Sequence, residues 1–247
     1  FEVAGLFTLY FCAQSYHVAR QSFGIARAYR RSGMHPFRQD RLAEALIYLA
    51  AAWGLLARCA QAPETFLGYP IQLPAVPAQA ANAMGVAAIA CSACWLWRQA
   101  RLALTGNIDW RHDGFVTSHA FTCFVAYIWI TDITLGWLLI NLWHNLQYLL
   151  FVWVQNIRRK RQTQADKASE TGLWKNAARY GGVCLALGSM LYLAIDWAGT
   201  QLLWLGLPTV LIAHFTLGFH HYLVDGVIWK RRAASAEHGA LVRRDCK

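Results

Sequence analysis

Charged side chains are scarce in this sequence of 247 residues, where Asp, Glu, Lys and Arg make up 15%, against about 25% in an average soluble domain. Proline is rare, with 6 residues, and the 7 cysteines are scattered and odd in number, a pattern that does not form a disulfide framework. The sequence contains no internal repeat and no low-complexity tract. Together these features exclude a disordered chain, a collagen and a disulfide-rich secreted module.

Apolar residues dominate instead, at 57% of the chain, with 12 Trp and 12 Phe. A helix needs about 20 mostly apolar residues to cross a bilayer. Because the chain begins at Phe1, without Met and inside an apolar stretch, we expect the first span to be truncated. Apolar runs bounded by charge predict seven transmembrane helices, over 3–26, 43–61, 79–99, 115–134, 136–157, 180–197 and 201–229. Between them we expect short turns at 131–136 and near Asp196–Gly199, and a proline-rich loop over 62–78.

Basic residues lie on one side of this layout. Of the 23 Lys and Arg, only Arg58 falls outside the segments 20–41, 98–113, 158–179 and 230–247. The positive-inside rule makes these segments cytoplasmic, together with the C-terminus. Anionic lipid of the inner leaflet explains the net charge of +10, and we expect membrane lipids as partners and no nucleic acid.

The predicted fold class is therefore all-α, a polytopic integral membrane helical bundle with about seven transmembrane helices. We expect residues 1–232 to form a single transmembrane domain and 233–247 a polar cytoplasmic tail. The expected location is a bacterial inner (plasma) membrane.

Several ionisable side chains lie inside these spans, where they are costly and tend to face the bundle interior. In the last helix His221 and Asp225 each fall within about 20° of His214, while His220 points about 100° away from His221. The candidate metal ligands are His17, His119, His144, His214, His220, His221 and Asp225. The residues expected to orient these ligands, or to add a bridging carboxylate, are Gln21, Asn141, Gln147 and Glu44.

Four predicted helices bring histidine to the cytoplasmic half of the membrane. Several desolvated imidazoles and a carboxylate at similar depth are unfavourable unless a partner neutralises or binds them. One metal centre would bind them together. Imidazole with carboxylate suits iron, zinc, copper or manganese, and no thiolate set selects a softer ion. We expect iron, in a mononuclear or dinuclear site.

Histidines on several transmembrane helices near the cytoplasmic face, including the pair His220-His221, resemble the integral-membrane histidine-rich di-iron oxygenases. This group comprises fatty-acid desaturases, hydroxylases and alkane hydroxylases. Its H-x-x-H-H and H-x-x-x-H boxes are absent here, since His17 is followed by Gln21 where a histidine is expected. The resemblance implies a reaction class, oxygen activation at reduced iron followed by attack on a C–H bond of a hydrophobic or lipid-like molecule. A cytoplasmic electron donor would supply the electrons.

Three other classes remain open. A b-type haem electron-transfer subunit would use axial pairs such as His144 with His221, or His17 with His214. A transporter or proton-relay protein would line a polar path with Asp196, Asp225 and the histidines. A structural subunit of a larger membrane complex would use its aromatic residues for packing.

Overall fold

The computed structural model describes residues 3–31, 40–163, 170–201 and 212–225, and almost all of them are helical. Within these ranges, short loops connect the helices, and the strands form one two-stranded hairpin. The prediction of an all-α protein is therefore confirmed. Its predicted cytoplasmic tail, over 233–247, lies outside the described residues, and the single transmembrane domain over 1–232 stays a prediction.

Helices occur at every predicted span, and most extend into the charged flanks. The helices are α1 (Val3–Arg31), α2 (Arg41–Gln61), α3 (Ala78–Leu104), α4 (Trp110–Phe124), α5 (Ile133–Thr163) and α6 (Glu170–Gln201). A further helical segment covers 212–225 within the seventh predicted span. Two compact units result, one made of residues 1–144 with 225–247 and the other of residues 145–224.

Within the described ranges, three helical segments are long and apolar enough to cross a membrane, namely Arg41–Gln61, Ala78–Leu104 and Lys175–Gln201. Many large apolar side chains on α3 and α6 are exposed, including Leu96 and Leu185, as expected for helices that face lipid. The protein is thus helical and of membrane type. The number of seven spans stays a prediction, because polar residues lower the hydropathy of α1 and α5. The orientation of the helices in the membrane stays a prediction as well.

The break between α4 and α5 is shorter than the predicted turn at 131–136. A π-helical turn, Val125–Trp129, continues α4, and α5 begins at Ile133 after residues 130–132. The Asp132 carboxylate caps α5 by accepting a hydrogen bond from the Leu135 amide at 2.7 Å. A side-chain oxygen at this position satisfies an amide that has no partner within its helix.

Arg58, the one basic residue outside the basic segments, is buried beside this break. Its guanidinium donates to the main-chain oxygens of Ala126 at 2.8 Å and Thr131 at 2.6 Å, and also to that of Ile130. A helix end leaves carbonyl groups without intrahelical partners, and in a membrane water does not reach them. Arg58 therefore satisfies the carbonyls that the end of the π-helical turn exposes.

The proline-rich segment 62–78 contains a short hairpin that was not predicted. Strand β1 (Thr65–Phe66) pairs antiparallel with β2 (Tyr69–Pro70). Leu67 and Gly68 make the turn with φ of 54° and 79°, which suits the two-residue turn that joins twisted strands. Fully buried Phe66 packs its ring at 5.4 Å from that of Phe11 and 5.6 Å from that of Trp137.

The turn predicted near Asp196–Gly199 is wrong, because α6 continues to Gln201. Three of these four residues are compatible with a helix, and a single glycine costs only about 1 kcal/mol there relative to alanine. Gly199 is therefore tolerated inside the helix.

Candidate metal site

Two polar stripes, one on α1 and one on α5, face each other in the first unit. Gln14 of α1 is buried and donates from its amide nitrogen to the side-chain oxygen of Asn141 in α5. Its amide oxygen accepts from the Trp137 indole at 2.9 Å, and Asn141 donates to the Trp137 carbonyl at 2.8 Å. These bonds join α1 and α5 through their polar faces.

One turn further along, His17 of α1 meets His144 of α5. Their ring centroids lie 5.2 Å apart with the rings edge to face, and each offers a ring nitrogen within 4.8 Å of the other. The side chains are 7% and 4% exposed. Because the contact moves forward by three residues on both helices, from Gln14–Asn141 to His17–His144, α1 and α5 run in the same direction here.

Asp225, the last described residue of the 212–225 helix, adds a carboxylate to this pair. Its Oδ2 lies 3.9 Å from Nε2 of His17, and the residue is 4% exposed. Asp225 thus places a carboxylate beside one of the two imidazoles of the first unit. Burial of such groups is unfavourable unless a proton or a cation offsets the charge.

This donor set fits a metal ion. Metal–nitrogen and metal–oxygen bonds of about 2.0–2.2 Å place two ligand atoms of one ion about 3–4 Å apart. The 3.9 Å between His17 and Asp225 falls in that range, and the ring nitrogens of His17 and His144 lie within 4.8 Å of each other. Two histidines and one carboxylate form the ligand type typical of non-haem iron oxygenases, which keep positions open.

His221 precedes Asp225 by one helical turn, so both lie on one face of the same helix. It is half-buried, and in the second unit its ring centroid lies 6.4 Å from that of Tyr148. Its role as a ligand stays a prediction. The same holds for His214 and His220, whose side chains are both exposed.

His119 is fully buried but is engaged elsewhere. A ring nitrogen lies 3.2 Å from the Ile47 carbonyl oxygen of α2, and the ring packs at 5.4 Å from that of Trp143. These contacts are typical of an interhelical hydrogen bond. A role for His119 as a ligand stays a prediction.

The residues expected to orient the ligands have different surroundings. Asn141 belongs to the polar contact between α1 and α5, whereas Glu44 lies in the first turn of α2. Gln21 is 1% exposed and Gln147 is half-buried. For both glutamines, neither amide atom has a hydrogen-bond partner within the described ranges.

A polar network at the ends of α2 and α3 was missed by the sequence reasoning. Asp40 caps α2 by accepting from the Ala43 amide at 3.1 Å, and Arg98 of α3 donates to its carboxylate at 2.8 Å. The Arg98 guanidinium also lies 4.6 Å from the centroid of the buried Trp95 ring. Asp40 directly before an apolar helix was the signal that could have identified the cap.

The pKa of Asp40 is lower than its ordinary value. Burial by itself raises this pKa, but the hydrogen bonds from Arg98 and the Ala43 amide and the positive charges nearby outweigh burial. Asp40 is therefore ionised at neutral pH and ties α2 to α3.

A second buried pair lies at the start of α4. Nδ1 of the His112 ring lies 2.7 Å from one carboxylate oxygen of Asp113, and the other oxygen accepts from the Asp109 amide at 3.0 Å. Asp109 in turn caps α4 by accepting from the His112 amide. The His112 ring lies 5.9 Å from Trp95, so these contacts anchor α4 against α3.

Searches against family models, curated proteins and solved structures find no match to this chain. The resemblance to histidine-rich di-iron oxygenases stays a prediction from sequence features. The interpretation of the site rests on its own geometry.

Proposed function

We propose that this protein is a membrane-embedded, iron-dependent oxidoreductase that acts on a hydrophobic or lipid-like substrate. His17, His144 and Asp225 are the proposed ligands. The observation that carries the proposal is the approach of two buried imidazoles and a buried carboxylate in the first unit. The iron would supply the oxygen-activating redox chemistry that protein side chains lack.

The chain itself would hold and orient this centre. The bonds among Gln14, Asn141 and Trp137 fix the register of α1 and α5, and the register keeps His17 opposite His144. Asp225 would offset the positive charge of the ion and restrain the His17 ring. Apolar residues around the site would exclude water, which strengthens these electrostatic interactions.

The contact between His17 and His144 bears on the haem alternative. Axial histidines of a b-type haem face each other across the flat macrocycle. Here the two rings pack edge to face with centroids 5.2 Å apart, so they are not the axial pair of one haem, and that alternative needs the pairs His144 with His221 or His17 with His214. Asp225 also has no role as a haem ligand in that alternative.

Substrate and electrons would approach from different directions. Exposed apolar residues on α3 and α6 are typical of contact with lipid, so a hydrophobic substrate would enter from the bilayer. The basic segments that we predict to be cytoplasmic would receive an electron donor. The plasma membrane of a bacterium is the location proposed on the same grounds.

Metal analysis of the full chain tests the proposal. We expect about one or two irons per chain after purification in detergent, without an intense Soret band. His17→Ala, His144→Ala and Asp225→Ala should each lower iron occupancy at least tenfold. Asp196→Ala is the control, because this exposed carboxylate of α6 is not among the proposed ligands and its removal should leave iron bound.

Three results would overturn the proposal. An intense Soret band would identify haem, and stoichiometric zinc would indicate a hydrolase. Iron occupancy that survives all three ligand substitutions would show that these residues do not hold the metal.

A further inference from the structure

Gln14 and Gln21 lie on one face of α1, on either side of His17, but their amide groups differ. Gln14 donates to Asn141 and accepts from Trp137. Gln21 is 1% exposed, and within the described ranges neither its oxygen nor its nitrogen has a hydrogen-bond partner. The amide of Gln14 thus has hydrogen-bond partners, whereas the amide of Gln21, one helical turn beyond His17, has none within the described ranges.

An unsatisfied buried amide destabilises a protein, and native structures contain few of them. Methionine has nearly the same length and would fill the position without a polar group to desolvate. A glutamine at this position therefore points to a polar partner other than the described side chains. A bound molecule is such a partner.

The position of Gln21 relates that molecule to the proposed metal. Gln21 follows His17 by four residues, one helical turn, which places it on the same face and about 6 Å along the helix axis. A molecule that contacts Gln21 therefore has its neighbouring atoms beside the His17 ring.

We propose that the Gln21 amide binds the neutral polar group, a hydroxyl or a carbonyl, of a lipophilic substrate. An amide donates and accepts at once, which matches a hydroxyl, and its nitrogen donates to a carbonyl. The amide carries no charge that would offset a buried carboxylate or ammonium group. This inference rests on the proposed function and makes Gln21 the residue that sets which carbon of the substrate lies at the metal.

Photolabelling tests this inference on the full chain in nanodiscs. The probe is a 12-carbon alcohol with a diazirine near the hydroxyl, and peptide mass spectrometry locates the label. We expect the label on α1 around Gln21, and about tenfold less of it in Gln21→Met. The matching diazirine alkane without a hydroxyl should label both proteins equally and weakly.

Two further measurements separate ligand binding from a structural role. Gln21→Met should raise Tm by about 2–4 °C in the absence of ligand, because it removes an unsatisfied group. Ser22→Ala is the control at the same level of α1, since it removes another buried polar group but lies about 100° round the helix. It should keep the labelling of the unsubstituted protein.

Equal labelling of Gln21→Met and the unsubstituted protein by the alcohol would overturn the inference. So would a lower Tm of Gln21→Met, because it would show that the amide has a structural partner. Labelling is measured both with iron and after chelation. Since the label does not depend on iron, a failure of the proposed metal site remains distinguishable from a failure at Gln21.

Discussion

The side chains of His17 and Asp225 lie 3.9 Å apart although 208 residues separate them in the sequence. One belongs to the first helix and the other to the last described helical segment. Both are almost fully buried. A carboxylate in this position can share a metal ion with the neighbouring imidazole.

Substitution of Asp225 distinguishes charge from hydrogen bonding. We expect both Asp225→Asn and Asp225→Ala to lower iron occupancy at least tenfold. An amide neither offsets the charge of the ion nor binds it as a carboxylate does. Elemental analysis of the purified variants gives the result. Asp196→Asn, at an exposed position in α6, should keep its iron. Full iron occupancy in Asp225→Asn would exclude a ligand role for the carboxylate.

Loss of Arg58 should destabilise the break between α4 and α5. Arg58→Met leaves the Ala126, Ile130 and Thr131 carbonyls without their donor, and we expect a loss of about 2–4 kcal/mol. Thermal unfolding in detergent should show a lower Tm. Arg41→Met removes an exposed arginine from the same helix and should change Tm little. An unchanged Tm in Arg58→Met would mean that the carbonyls find other donors.

The lowered pKa of Asp40 predicts how the free energy of unfolding changes at acid pH. Its lowered pKa means that it stabilises the fold above the unfolded-state value of about 3.9, and that this contribution is lost as pH falls through the lower folded value. Between pH 6 and pH 3 the unsubstituted protein should therefore lose more stability than Asp40→Asn. Glu64→Gln, at an exposed position, should follow the unsubstituted protein. An identical acid response in Asp40→Asn would contradict the link between Asp40 and Arg98.

Phe66 should contribute more to stability than its place in a short hairpin suggests. Its ring is fully buried against Phe11 and Trp137, so Phe66→Ala should cost about 3–5 kcal/mol. Tyr69→Ala should cost less, because Tyr69 is 40% exposed. Chemical denaturation of the two variants ranks them, and the reverse order would show that the hairpin is not held by Phe66.

The sequence predicted those structural features that depend on a single helix. Apolar length located the helices, and the three- and four-residue spacing of Gln14, His17 and Gln21 places them on one face of α1, where all three are buried. Spacing also placed Asn141 and His144 on one face. These features depend only on helix geometry.

The partners of each polar face could not be derived in the same way. By spacing and depth His119 and His17 are equivalent, yet His119 lies against the Ile47 carbonyl while His17 lies against His144. The contacts of Arg58 cross 68 or more residues to carbonyls that only a helix break exposes. The partner of a buried side chain depends on which helices pack together. The periodicity of one helix does not reveal which helices these are.

The hydrogen bond from Gln14 to Asn141 has a consequence for synthesis of the protein. The two residues are 127 positions apart, so α1 is synthesised long before α5. During that interval the polar face of α1 has no partner from α5, and an apolar environment offers none. The polar face of α1 therefore needs another partner until α5 is made, and the helices synthesised between them are available for this.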